Sequence, residues 1–152
     1  MPREPTAFIR DRGQALELAQ RELERGRVRE AIDVLERSLE AHGESASIRT
    51  LLGLAYARNR EVDRAFAELE RAIVLEPEAF TPRCALGELY LRLCIVEKGR
   101  AHLAEALEYA TTREERAYVQ QLLREDRARD RSRAYRPDFS RPFWGRRRGE
   151  GE

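Results

Sequence analysis

The sequence predicts an all-α fold: a stack of three helix-turn-helix units followed by a C-terminal capping helix. Three observations predict it. Apolar residues recur at matching offsets every 34 residues, small residues sit where paired helices would have to approach closely, and a helix-start signature follows the third unit. The clearest unit is residues 46–79, ASIRTLLGLAYARNREVDRAFAELERAIVLEPEA. Moving 34 residues on, Leu52-Gly53 and Tyr56 become Leu86-Gly87 and Tyr90, and Val62, Leu69, Ala72 and Ile73 become Val96, Leu103, Ala106 and Leu107. Moving 34 back places Leu18, Val28, Ala31, Leu35 and Leu39 in the same register.

The units are expected at 12–45, 46–79 and 80–113, after a lead-in of residues 1–11 that contains Pro2 and Pro5. In the first, Leu16, Leu18, Ala19 and Leu23 form one helical stripe and Val28, Ala31, Ile32, Leu35 and Leu39 a second, with Gly26 at the turn between them. Gly43 can take the left-handed conformation that ends a helix. Ser45 is placed to cap the next helix, whose stripe is Ile48, Leu51, Leu52, Ala55 and Tyr56. Asn59 takes the turn role there, and Pro77 stops the partner helix that runs from Val62 to Leu75. Thr81-Pro82 reads as a cap followed by a first-turn proline. Leu86, Leu89, Tyr90 and Leu93, then Val96, Gly99, Leu103, Ala106 and Leu107, complete the third unit.

Gly53 and Gly87 leave room for a neighbouring helix, and Ala65 and Gly99 do the same on the facing one. Helices of ~14 residues are marginal alone, so each unit needs neighbours to cover both faces, and the array is stable only as an array. Thr112 to Glu115 is a capping box. Tyr118, Val119, Leu122 and Leu123 give the helix that follows, expected over 114–133, one apolar side; its other side is charged, as the end of a stack requires. Residues 134–152 carry too little apolar area to fold alone.

Composition narrows the function. The chain of 152 residues carries 29 basic and 28 acidic side chains, and a net charge so near zero argues against a dedicated nucleic-acid binder. Charge is uneven, however: residues 124–152 hold 10 basic and 6 acidic side chains, so a mildly acidic body carries a basic tail. Cys84 and Cys94 have neither zinc spacing nor a disulfide-framework pattern and read as thiols in a reducing compartment. With no signal-peptide core at the N-terminus and no window approaching a ~20-residue membrane span, a cytoplasmic protein is expected. His42 and His102 lie beside no cysteine, serine nucleophile or ligand-spaced carboxylates, and no glycine-rich phosphate loop occurs. Neither an enzyme nor a cofactor or metal site is expected.

The repeated residues resemble the tetratricopeptide repeat family, which has a 34-residue period. The second unit carries the pattern best, with Leu52, Gly53, Tyr56, Ala65, Leu69, Ala72 and Pro77. The third has Leu86, Gly87, Tyr90, Gly99, Leu103 and Ala106, with Thr111 in place of the proline. In the first, Ala19 stands for the glycine and Glu22 for the tyrosine, while Gly26, Ala31 and Leu35 hold. The resemblance covers residues 12–113. It implies a right-handed superhelix whose first helices line a concave groove for peptides or helices of other proteins. Carried onto this chain, the groove residues would be Leu16, Gln20, Leu23, Thr50, Leu54, Arg58, Thr81, Cys84, Glu88, Leu91 and Arg92. The carboxylate clamp of the chaperone-binding members is missing, because Leu16, Gln20, Leu51, Thr81 and Ala85 stand at its places. The implied ligand is therefore a partner with apolar side chains and mixed polar contacts. The leucines are equally what an ordinary core would use, and Glu88 with Arg92 equally a solvated pair.

The tail is a second candidate contact. Tyr135, Phe139, Phe143 and Trp144 are interleaved with arginines and followed by Arg146, Arg147 and Arg148. Such a segment is suited to stacking on unpaired bases, to an anionic membrane surface, to a protein partner or to its own groove; a solubilising tail is the plainer alternative. The first expectation is thus a non-catalytic adaptor with the tail as second contact. Alternatives are a tail-mediated tether to RNA or membrane, and a small protein that self-assembles through the apolar run Leu93 to Val96 or resembles the family's secretion chaperones.

Overall fold

The computed structural model describes residues 10–130, of which 83% are helical. Seven helices and no strands occur among them: α1 (Arg12–Glu24), α2 (Val28–His42), α3 (Ala46–Arg58), α4 (Val62–Leu75), α5 (Phe80–Arg92), α6 (Val96–Tyr109) and α7 (Arg113–Asp130). The fold is an all-α helical stack, as the periodicity predicts.

Local chemistry sets most helix ends. Asp11 accepts from the Gln14 N–H at 2.8 Å and Ser45 from the Ile48 N–H at 3.4 Å. In the capping box, the Thr112 hydroxyl accepts from the Glu115 N–H at 3.1 Å and the Glu115 carboxylate accepts the Thr112 N–H at 3.1 Å. Gly43, with φ 74°, ends α2. The third unit lacks the expected side-chain cap: α5 begins at Phe80 with Ala79 as an uncapped N-cap. Thr81 is therefore not the cap. The reason is Phe80, which is 6% exposed and anchors the helix by burial. Pro82, third in the helix, lacks an N–H where none would find an intrahelical partner.

The turns inside the three units are copies. Arg27, Glu61 and Ile95 donate their N–H groups to the carbonyls of Glu22, Tyr56 and Tyr90, each at 2.9 Å. The bond closes only if the residue before the donor is left-handed, and Gly26, Arg60 and Cys94 have φ of 75°, 63° and 65°. Asn59, with φ −82°, is thus not the turn residue of the second unit; Arg60 is.

Packing follows the small residues. A Cβ on Gly53 would lie 2.7 Å from Leu69 Cγ, and one on Gly87 2.8 Å from Leu103 Cγ, so each glycine is the socket for a fully buried leucine of the partner helix. α3 packs on α4 and α5 on α6 in this way. Successive odd helices touch, α1 to α3, α3 to α5 and α5 to α7, whereas no even helix touches another even helix. A stack with one layer in contact and the other splayed is curved, and the odd helices form its inner, concave wall. One apolar cluster runs from Ala15 through α3 to Leu89, and a second joins Phe80, Cys84, Leu91 and Leu103 to Val119 of α7.

Candidate partner-binding wall

Every residue expected in the groove lies on an odd helix, and all but Thr81 fall at positions related by one or two 34-residue steps. Their availability differs sharply. Gln20 is exposed, and Leu16, Arg58 and Thr81 are half-buried. These four keep accessible surface on the odd helices.

The other seven are buried. Leu23 and Leu54 belong to the first apolar cluster. The Thr50 hydroxyl donates to the Ala46 carbonyl at 2.8 Å, so its hydrogen bond is satisfied within its own helix. Leu91 faces α6: a Cβ on Gly99 would lie 2.6 Å from Leu91 Cδ2, so Gly99 is the socket for Leu91 much as Gly87 is for Leu103. Leu23, Leu54 and Leu91 are thus core side chains in this structure, not free groove surface.

Cys84, Glu88 and Arg92 form a buried polar patch on α5, in contact with α7. Arg92 donates to Glu88 Oε1 through Nε at 3.1 Å and Nη2 at 2.5 Å, and the Tyr118 hydroxyl donates to Glu88 Oε2 at 2.8 Å. Glu88 is 2% exposed, so this is no solvated pair. Burial, followed by the charge of Glu88, holds the Tyr118 hydroxyl far above the usual phenol range. Burial, helped by Glu88 and Glu115, likewise keeps the Cys84 thiol protonated. A protonated, enclosed thiol is an inert packing group rather than a nucleophile. Tyr118 was legible in the sequence only as an apolar residue of the last helix; a lone Glu at the middle of a groove position was the signal that a donor would be needed.

Other side chains tie the layers together. Arg49 bridges Glu44 at 2.7 Å and Glu68 at 2.5 Å, Arg83 reaches the Pro77 carbonyl and Glu105, and Tyr56 donates to Glu36. Burial and the Glu36 bond push the Tyr56 hydroxyl up to about 12. His102 is half-buried and stacks on Tyr90 with ring centroids 5.3 Å apart. Among the described residues no group of His, Cys, Asp and Glu could hold a metal ion, and no helix is long and apolar enough to cross a membrane. The tail candidates Tyr135, Phe139, Phe143, Trp144 and Arg146 to Arg148 lie outside the described residues.

No curated protein matches the chain. Residues 16–83 match the tetratricopeptide repeat family model, a span running from α1 into α5. With the 34-residue register, the glycine sockets and the curved two-layer stack, that match supports a tetratricopeptide repeat protein.

Proposed function

We propose that this protein is a non-catalytic adaptor whose concave wall holds a peptide or helix of a partner protein. Tetratricopeptide repeats generally mediate protein–protein interaction. The observation that supports the proposal is the inner layer of touching odd helices, on which Leu16, Gln20, Arg58 and Thr81 keep accessible surface. Their mixture of one aliphatic, two neutral polar and one cationic side chain suits a partner offering apolar groups with scattered acceptors.

The test is affinity capture with the full chain as bait. The double variant Gln20→Glu, Arg58→Glu changes one exposed and one partly exposed position and should keep the thermal midpoint near that of the parent while losing the captured partner. Val74→Glu, on an outer-layer side chain 65% exposed, should keep it. Retention of every partner by the double variant overturns the proposal. Residues 134–152 are proposed as a second contact with the same partner, adding avidity. Their deletion should weaken capture without abolishing it.

A further inference from the structure

The seams of the stack are unequal. Between α3 and α4, and between α5 and α6, glycine sockets bring the helices together around fully buried leucines. α7 contributes a single fully buried apolar side chain, Val119, with Tyr118, Leu122 and Leu123 half-buried beside it. Much of its attachment is polar: Tyr118 to Glu88, and Arg100 to Asp126 at 2.7 Å and Asp130 at 2.6 Å. In repeat arrays each element is held by its neighbours only, and local opening starts where that support is thinnest.

What lies in contact with α7 is unusual for a permanent seam. Glu88 and Arg92 are a buried ion pair, whose desolvation offsets much of its attraction. Charged groups at that place are better matched to a surface that is intermittently wet.

We infer that α7 is a displaceable cover. It leaves α5 and α6 at a lower cost than unfolding the stack, and it uncovers Cys84, Glu88 and Arg92 as additional concave wall. An occupant of that surface has to present what α7 presents, an apolar side chain in the place of Val119 and a donor to Glu88 Oε2, as an amphipathic helix does. The use of the uncovered surface rests on the concave wall being the binding face; the opening does not, and is tested without a partner.

The chain has two cysteines, and Cys94 is exposed while Cys84 is fully buried. In the full chain carrying Cys94→Ser, Cys84 is the only thiol, and its reaction with a disulfide reagent such as DTNB reports its uncovering. Labelling should proceed in native buffer far faster than global unfolding permits, with a weaker urea dependence than the transition followed by far-UV circular dichroism. Tyr118→Phe removes the donor to Glu88 and keeps the ring; it should accelerate labelling about tenfold or more, leaving the midpoint of the stack nearly unchanged. Asp126→Asn, which loosens α7 from Arg100 instead, should accelerate it too and serves if Tyr118→Phe fails to fold. Labelling that follows the global transition in rate and urea dependence overturns the inference. So does labelling as fast as that of Cys94 in a Cys84→Ser chain, since α7 would then cover nothing.

Discussion

Arg60 and Cys94 hold the conformation for which Gly26 is suited in the first unit. A left-handed backbone costs a residue with a Cβ about 1–2 kcal/mol, and glycine returns about 0.5–1 kcal/mol of that through greater freedom of the unfolded chain. Arg60→Gly and Cys94→Gly should therefore each stabilise the protein by up to about 1 kcal/mol, read as a higher urea midpoint at unchanged slope. A second excess cost sits at Ser38. Its hydroxyl is fully buried and has no hydrogen-bond partner among the described residues, at the place where the next units have Ala72 and Ala106. Ser38→Ala removes an unsatisfied polar group and should stabilise by about 1 kcal/mol; a loss on the same measurement would mean that the hydroxyl is paired in solution.

At the scale of helices, the glycine sockets decide how closely partners approach. Gly53→Ala improves helix propensity by about 1 kcal/mol, yet its Cβ would sit 2.7 Å from Leu69 Cγ and 3.2 Å from the Ala65 carbonyl oxygen. Overpacking of that kind costs about 1–3 kcal/mol, so the substitution should destabilise and lower the thermal midpoint. The sockets were legible in the sequence because glycine inside an apolar helical stripe has few other uses. The turns were legible only where glycine marks them; at Arg60 and Cys94 nothing in the side chain announces a positive φ, which is why Asn59, the better left-handed residue, was the natural but wrong choice. Groove positions were the least legible. A half-buried leucine and a leucine seated in Gly99 obey the same period, and only coordinates separate Leu16 from Leu91. His102 adds a pH response to the α5–α6 pair. Burial, the largest cause, lowers its pKa below 6.5, with Glu105 and Glu70 opposing and Arg83 and Lys98 assisting. The unfolded chain then takes up the proton first, so the contribution is complete above pH 6.5 and is lost as pH falls below it. Urea midpoints should drop between pH 7.5 and pH 5.5, and the drop should shrink in His102→Phe.

Across the whole molecule, no unit closes its own core. The first apolar cluster includes Ala15, Leu35, Ile48, Leu52, Tyr56 and Leu86, residues drawn from all three helix pairs. Tyr56 of the second pair donates to Glu36 of the first, and Arg12 of α1 donates to the His42 carbonyl at the end of α2. If stability is a sum of neighbour contacts, removing an end pair strips one face from everything beside it. A chain beginning at Glu44 keeps α3 to α7 but loses the partners of Ile48, Leu52 and Tyr56, leaving a broad apolar face in water. It should lose cooperative thermal unfolding and much of its far-UV helical signal, or recover both only at concentrations where it associates through that face. A monomeric fragment that melts as sharply as the full chain would mean that the second and third pairs form a self-sufficient core, and that coupling along the stack is weaker than the shared cluster requires.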